Sequence, residues 1–502
     1  TKAIKKGKIS VLGLPDLSNI RVMMIGVRNN SNEPKCFEVW TNELRVKDIA
    51  NSGGWAALAN VQAQLADFGQ LNMAGSIRTI GFGDVDKKLN DRSLTNNYNY
   101  DIATNLEFGK FFPADMGVSI PVYLGWSESF IRPKFNPLNP DLNLENYLAA
   151  LSSEAIRESI RKAAEDYNSL FSFNINNFKF ARPGGKKPKP WSISNFNGSY
   201  SYQSNYRRNQ QIEEFFLNTT QATLGYAYSN NTKFIRPFKK IKSKKLKLIR
   251  DFNFNLLPSS FTSQLQLNRL YSETQARNNN NFKQINPRLY DKNFTLNRNY
   301  NLAFPIARSL NVTYLANVEA RIQEPYGEIN SKEKQDSIWA EFEGFGRMRR
   351  FYQRTNATYT FPFSKISWLR WINGSATYNG SYEWNQAPPA FASLGNTIQN
   401  SQDINVTGQF NLSLLYMKIP WLKDYRKSKR VKIDPEDENY ESALDRGKTE
   451  LKKPNPLTVM LGDLITMVKN ANVNITRKET TELPGFAHRP DYFGYNFYRT
   501  EP

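Results

Sequence analysis

Between Gly53 and Pro140 the apolar and polar side chains sort into two files when the chain is read in steps of two. Ala57, Ala59, Val61, Ala63 and Leu65 form one file, and Asn60, Gln62 and Gln64 form the other. That is the period of a β-strand. After a tight turn at Phe68-Gly69 the pattern resumes as Leu71, Met73 and Ile77 against Asn72, Ala74, Ser76 and Arg78. It returns as Tyr98, Tyr100, Ile102, Leu106 and Phe108 against Asn97, Asn99, Asp101, Asn105 and Glu107. The same plan runs downstream: Ala222, Leu224, Tyr226 and Tyr228 against Thr219, Gln221 and Thr223, then Leu310 to Ile322 in even steps against Asn311, Thr313, Asn317, Glu319 and Arg321. A further file reads Ile404, Val406, Phe410, Leu412, Leu414 and Tyr416 against Asn405, Thr407, Gln409, Asn411 and Ser413.

About fifteen such strands follow Trp55, most of them longer than the roughly 9 to 11 residues that cross an outer membrane at barrel tilt. Alternation also marks half-buried soluble sheets. Strand length, strand number and the aromatic residues near strand ends favour a transmembrane β-barrel. The predicted fold is all-β: part of a very large transmembrane β-barrel over residues 53–502, with long loops and helical insertions, preceded at 1–52 by the end of a β-sandwich or jelly-roll module. In that module Cys36 is expected as a buried thiol and Trp40 as core packing, with sugar stacking the alternative for Trp40.

Phe112-Pro113, Leu257-Pro258, Phe304-Pro305, Phe361-Pro362 and Ile419-Pro420 each read as the end of a strand, since proline cannot donate to the ladder. They suggest short turns at one end of the strands and long loops at the other, although the strand count between Gly117 and Leu257 changes the parity of these turns. Leu144 to Leu170 has a helical period, interrupted at Ser152 or Ser153, within an insertion placed at about 128–168. A second helix is expected at about 330–350 and a charged loop at about 423–460. The first insertion, lying outside the wall, should tolerate shortening.

Composition narrows the chemistry. Aromatic residues make up 13% of the 502 residues while mean hydropathy is −0.61, the combination that alternation produces when a barrel hides its hydrophobicity. No run of about 18 apolar residues can make a membrane helix; the longest candidate, Val459 to Val468, is broken by Gly462 and Asp463. One cysteine and one histidine, His488 in a Pro-flanked loop, leave no disulfide framework, no multi-cysteine metal site and no histidine-based triad. No catalytic, cofactor-binding or metal-binding residue is assigned. The net charge of +21 concentrates at Ile235–Arg250 and Tyr425–Lys432. Without an aromatic-basic module these runs read as solvated loops within reach of acidic lipid headgroups rather than as a nucleic-acid surface. The polar file is assigned to a hydrated lumen, represented by Asn72, Asn105, Asn311, Asn317, Gln409 and Asn411.

The phrases WAALANVQAQLADFGQLNMAGSIRTIGFGDVDKK and NYNYDIATNLEFGKFFPADMGVSIPVYLGWSES carry a family resemblance, extended by IRDFNFNLLPSSF, SLGNTIQNSQ and TELPGFAHRPDYFG. The chain resembles the SprA/Sov gliding-motility and secretion proteins of Bacteroidetes, the outer-membrane translocon of the type IX secretion system. The resemblance implies a multi-pass β-barrel in the cell outer membrane that passes folded cargo bearing a C-terminal type IX signal to the surface. It also implies two partners besides outer-membrane lipid: a PorV-type shuttle barrel at a lateral opening and a periplasmic plug protein. It implies no cofactor and no enzymatic activity. Barrels of this family reach about 36 strands, so the chain, which opens without a signal peptide, is expected to be a piece of a longer polypeptide and not to close a barrel alone. Two other readings stay open: an importer or porin for glycans or siderophores, and a soluble β-rich binder of nucleic acid or polysaccharide.

Overall fold

A computed structural model describes residues 22–42, 53–87, 91–181, 189–231, 233–241, 243, 246–279, 285–422 and 456–490. The period-2 files become one antiparallel sheet. Its first strands are β1 (Ala56–Leu65), β2 (Gly69–Arg78), β3 (Thr95–Glu107), the short β4 (Val118–Ser119) and β5 (Pro121–Pro133). A small hairpin, β6 (Phe135–Asn136) with β7 (Asn139–Asn143), precedes β8 (Asp166–Phe180), β9 (Phe196–Arg208), β10 (Ile212–Ser229) and β11 (Ser260–Ala276). The rest are β12 (Leu289–Ala307), β13 (Leu310–Arg321), β14 (Arg347–Thr360), β15 (Ile372–Asn385), β16 (Asn396–Asn411) and β17 (Asn470–Phe486). Each long strand pairs with the next in the chain, giving the order β1-β2-β3-β5-β8 and on to β17, with β4 extending the ladder beside β8. Among the described residues β1 and β17 do not pair with each other, so the sheet has two free edges.

The parity difficulty resolves. Four long strands separate Gly117 from Leu257, an even number, so all five X-Pro pairs sit at the same end of the sheet, here called the lower end. Phe304-Pro305 is a correction: it lies inside β12, where the register slips between Pro305 and Ala307 opposite Asn311 and Leu310. A bulge accommodates the missing donor. Loop length does not segregate as expected either. The lower end carries the tight connections 66–68 and 308–309 but also 230–259, and the upper end has both the tight 209–211 and the long 134–165.

The first insertion is shorter than the sequence suggests. Residues 128–133 complete β5, and the helices are α1 (Leu144–Ala149) and α2 (Glu154–Ala164), after which β8 begins at Asp166. Asn143 caps α1 by accepting the Asn146 N–H at 3.2 Å, and Ser153 precedes α2. Leu144, Leu148 and Ala164 are buried together against Leu151 and Ile160, the helical period seen in the sequence. The later helices are α3 (Lys247–Arg250), α4 (Lys332–Glu343), α5 (Leu412–Tyr416) and α6 (Pro456–Thr466). The short α5 corrects the file Leu412, Leu414, Tyr416: Asn411 accepts the Leu414 N–H at 3.2 Å and turns the chain out of the strand. The charged run 423–455 lies outside the described residues.

Residues 22–42 contain no strand, and Cys36 and Trp40 are exposed rather than buried. No strand lies against this segment among the described residues, so Val22, Met24 and Trp40 have no apolar surface to pack on. The buried cores sit on the sheet instead: one joins Val318, Met348, Phe351 and Trp384, another Phe294, Leu296 and Ile322 beneath Ile338 and Phe342 of α4.

Candidate functional site

Residues directly opposite in neighbouring strands share a face, so the register decides which side chains form each surface. One face carries Gln62, Asn72, Asn99, Asn105, Asn174, Ser201, Gln221, Asn268, Asn299, Asn317, Asn356, Asn379, Asn405 and Gln409, a run of neutral polar groups over most of the long strands, interspersed with the charged Asp101, Glu319, Arg350, Arg354, Glu383, Asp403 and Lys478. These groups bond to one another across the ladders. Asn99 Nδ2 donates to Ser76 Oγ at 3.2 Å, Ser201 Oγ to Asn174 Oδ1 at 2.5 Å, and the Ser375 and Thr407 hydroxyls meet at 2.7 Å. Asn356 Nδ2 donates to Asn379 Oδ1 at 2.5 Å. Bonded laterally, such side chains offer a wet surface, and among its charges Arg350 is paired with Glu319 at 3.4 Å and with Glu383 at 2.9 Å.

All six residues expected on the lumen side fall on this face. Asn72 lies opposite Gln62 and Ala103, Asn105 opposite Gln70 and Tyr123, and Asn311 opposite Pro305 and Thr358. Asn317 lies opposite Asn299 and Tyr352, and Gln409 opposite Asn373 and Asn472. Asn411 lies opposite Asn470 at the lower rim, with its side chain engaged in the α5 cap.

The other face holds the apolar files, and here the structure adds what the sequence did not single out. Read upward from the lower end, the apolar file gives way to a polar side chain at Ser204 in β9, Thr220 in β10, Arg269 in β11, Arg298 in β12, Gln353 in β14, Gln402 in β16 and Arg477 in β17, while Ser263 in β11 and Thr355 in β14 fall below these positions and β13 and β15 carry no polar residue in the file. These positions are not level in the hydrogen-bonded rows. Take the row Gly198, Leu224, Leu265, Arg298, Val318, Phe351, Trp384, Ile398 and Leu483, each opposite the next. The interruption lies six residues above that row in β9, four above in β10 and β11, and on it in β12. It falls two below in β14, four below in β16 and six below in β17. Marked on seven of nine strands, the boundary therefore descends by twelve residues from β9 to β17. At ~3.4 Å per residue and ~4.8 Å between strands, it is inclined roughly 45° to the hydrogen-bond direction.

The two sides of the boundary differ in exposure as well as composition. Below it, apolar residues face outward uncovered: Leu224 is 47% exposed, Val473 47% and Ile475 63%. Above it, Phe351, Trp384, Leu296 and Ile322 are buried beneath other parts of the chain, each at 1%, while Leu483 on the edge strand β17 is 52% exposed. The stretch below runs for about four side chains per strand, ~25 Å along the chain, and ends at aromatics such as Phe196, Phe261, Phe304, Tyr359 and Phe410. A large exposed apolar band bounded by aromatics is a surface for hydrocarbon or for another apolar protein. Above the boundary, charge is paired: Glu165, nearly buried, takes Arg132 at 2.8 Å and Arg208 at 2.9 Å, and Arg288 reaches Glu214 at 2.9 Å and Glu273 at 2.5 Å.

At the lower end Lys110 Nζ donates to Asp67 Oδ2 at 2.8 Å, tying the β1–β2 turn to the 3₁₀ turn Phe108–Phe111. That hydrogen bond and the attraction behind it hold the Asp67 carboxyl below its ordinary range and the Lys110 ammonium above its own. His488 is exposed, its carbonyl accepting Trp384 Nε1 at 3.1 Å. Among the described residues no three His, Cys, Asp or Glu side chains gather in a way that could hold a metal ion.

Compared with known families, residues 1–148 match the model SprA_N, described as motility related/secretion protein. The matched stretch reaches through β5 and into α1. No curated protein matches the chain.

Proposed function

We propose, on the premise that this chain belongs through residues 1–148 to the SprA family of motility related/secretion proteins, that its sheet is a section of the wall of an outer-membrane protein-conducting barrel. The observation that carries the reading is the inclined boundary on the apolar face. Strands of transmembrane barrels tilt by about 35–45°, so a level membrane surface cuts the hydrogen-bonded rows obliquely. The incline here is of that size. Projected on the membrane normal at that tilt, the ~25 Å of exposed strand spans about 18–20 Å, most of the roughly 25 Å apolar girdle of such proteins. The exposed apolar side chains below the line meet lipid, and the protein-covered ones above it stand clear of the bilayer.

On this reading the polar face lines a hydrated conduit. Many of its amide and hydroxyl groups bond to one another, and its charges are of both signs with Arg350 held between Glu319 and Glu383, so a folded cargo meets a hydrated wall without a field of one sign. The cargo is a protein with a C-terminal type IX secretion signal, a PorV-type barrel docks at a lateral opening, and a plug closes the conduit on the periplasmic side. The chain acts as a passage without catalysis. A membrane wall also needs both edges paired, because unpaired backbone groups in hydrocarbon cost several kcal/mol each, so further strands must lie beside β1 and β17.

Single cysteines at Val312 and Asn317, in a Cys36→Ser background and in native outer membranes, test the assignment. A lipid-soluble maleimide should label Val312 and a water-soluble one Asn317. The reverse pattern, or equal labelling of both by the water-soluble reagent, would sink it.

A further inference from the structure

The described residues of the connection between β10 and β11 form a built surface. Ile235 and Phe254 form an antiparallel bridge, Ile235 N–H donating to Phe254 O at 2.8 Å and Phe254 N–H to Ile235 O at 3.1 Å. Asn253 and Asn255 are buried and lock the segment to the tight β12–β13 turn. Asn253 Oδ1 accepts the Arg308 N–H at 2.8 Å, Asn255 N–H donates to Ile306 O at 2.8 Å, and Asn255 Nδ2 donates to Pro305 O at 3.2 Å. Arg308 also lies 5.6 Å over the Phe234 ring.

What this anchoring presents is unusual. Phe238, Leu248, Ile249, Phe252, Leu256 and Leu257 are all exposed, Leu256 at 70%. Among them the described residues include the basic Arg236, Lys239, Lys240, Lys247 and Arg250 and one acidic residue, Asp251, which pairs with Arg250 at 3.3 Å. Neither ingredient alone indicates a ligand: a basic run can be merely solvated, and exposed leucines can await any apolar cover. Interleaved on one anchored segment, they match a surface that is apolar beneath and anionic at its boundary, which is the profile of a phospholipid leaflet at headgroup depth. Lysine and arginine stems lie along the apolar layer while their charges reach the phosphates. The position agrees: the segment sits at the lower end of the strands, where the aromatics Phe261, Phe304 and Tyr359 close the exposed apolar band.

We infer that the described residues of 234–241 and 246–257 form an interfacial foot that seats its apolar side chains at the bilayer surface and binds the phosphates of anionic lipids, fixing the depth of the sheet in the membrane. The inference rests on the reading of the sheet as a membrane wall. A nucleic acid or a second copy of the chain would engage the same charges or the same apolar side chains only without a bilayer.

The test uses the full chain in a Cys36→Ser background, reconstituted in vesicles, with an environment-sensitive fluorophore at Leu256→Cys and, separately, at Val312→Cys. Vesicles are phosphatidylcholine alone or with phosphatidylglycerol, each with a lipid carrying a nitroxide just below its headgroup. The expected result is strong quenching at Leu256, at least twofold greater with phosphatidylglycerol. That enhancement should be lost in the Lys239→Gln/Lys240→Gln/Lys247→Gln/Arg250→Gln variant and unaffected by excess inorganic phosphate. If Val312 is quenched by a deep-lying nitroxide while Leu256 stays in water, the foot is wrong and the wall stands. Should neither position meet lipid, the wall falls and the foot with it. A Leu256 signal that changes with protein concentration in detergent, or with added oligonucleotide, but not with lipid would also overturn the foot.

Discussion

Asn253 Oδ1 accepts the backbone N–H of Arg308 at 2.8 Å, so a side chain from the β10–β11 connection terminates the tightest turn at the lower end of the sheet. Asn253 is 6% exposed. The bond therefore contributes more than an exposed turn contact would, because its loss strands polar groups at a site with little water. Asn253→Ala is expected to cost about 1–2 kcal/mol locally. Amide exchange at Arg308 and along 246–257 should accelerate while the β11–β13 ladder stays protected. Unchanged exchange at Arg308 would show that the turn does not depend on this residue.

The two faces should respond oppositely to the same charge. Val312 and Ile404 lie in the exposed apolar band, whereas Asn317 lies among amides opposite Asn299. Arginine at Val312 or Ile404 is expected to cost up to about 2–4 kcal/mol in the membrane-inserted protein. Arginine at Asn317 should cost about 0.5 kcal/mol or less, the usual size of a surface change. Equilibrium refolding into lipid vesicles measures both. Leu412→Arg, which a strand reading would place with the first pair, should be mild, since α5 carries that residue away from the sheet.

Which parts were legible follows from how far each signal reaches. The face of Asn72, Asn105 or Asn317 depends only on parity within its own strand, so the sequence assigns it to the polar side directly. The inclined boundary depends on how Thr220, Arg298, Gln353 and Arg477 align across strands far apart in the chain. No single strand contains that register. Leu412, Leu414 and Tyr416 misled because a five-residue helix is too short to declare its period, and only the Asn411 cap betrays it. Pro305 misled for the opposite reason: a bulge lets the strand continue past a residue that normally ends one. Cys36 and Trp40 were judged by residue type, and type cannot show that no strand lies against them.

The Asp67–Lys110 pair gives a pH signature with a definite sign. The Asp67 carboxyl, depressed in the folded protein, stabilises the turn fully above its ordinary value of 3.8 and loses that contribution as pH falls through the lower folded value. The Lys110 ammonium, raised above 10.5, keeps its contribution below that value and loses it as pH climbs through the higher folded one. The tie between the β1–β2 turn and the Phe108–Phe111 turn should hold across neutral pH and loosen at both extremes. Protection factors at Phe68 and Phe112, corrected for intrinsic exchange, would report it. Asp67→Asn should remove the acid limb, and an acid limb that persists in this variant would assign the effect to another group.

Glu165 joins the helical insertion to the sheet through Arg132 and Arg208, yet the β5–β8 register, from Val122 opposite Ile175 to Ile131 opposite Asp166, does not pass through the helices. Replacing residues 135–163 by a short glycine-rich link that keeps Glu165 should preserve the sheet and its insertion into vesicles. Glu165→Ala in the intact chain is expected to be worse, about 3 kcal/mol, because it leaves the nearly buried Arg208 without its carboxylate. If the deletion abolished the sheet while Glu165→Ala did not, the insertion would be part of the folding core.

The last expectation concerns the edges. β17 pairs with β16 from Asn411 opposite Asn470 to Asn396 opposite Phe486, and its other side faces no strand among the described residues. β1 is likewise paired on one side only, with β2. A strand of 17 residues presents about eight outward N–H groups, since alternate residues point to either neighbour. In water such an edge pairs with whatever strand it meets, and in hydrocarbon it cannot remain open. If the sheet is a section of a larger wall, outward amides of β1 and β17 should exchange slowly in native membranes. In the isolated chain in detergent they should exchange at rates near those of exposed loops, while amides turned toward β2 and β16 stay protected in both. Hydrogen exchange resolved to single residues distinguishes the two sets. Slow exchange on both sides in the isolated chain would mean that the edges close on each other or on a second copy. The wall would then be complete at this size, and the larger conduit would have to be abandoned.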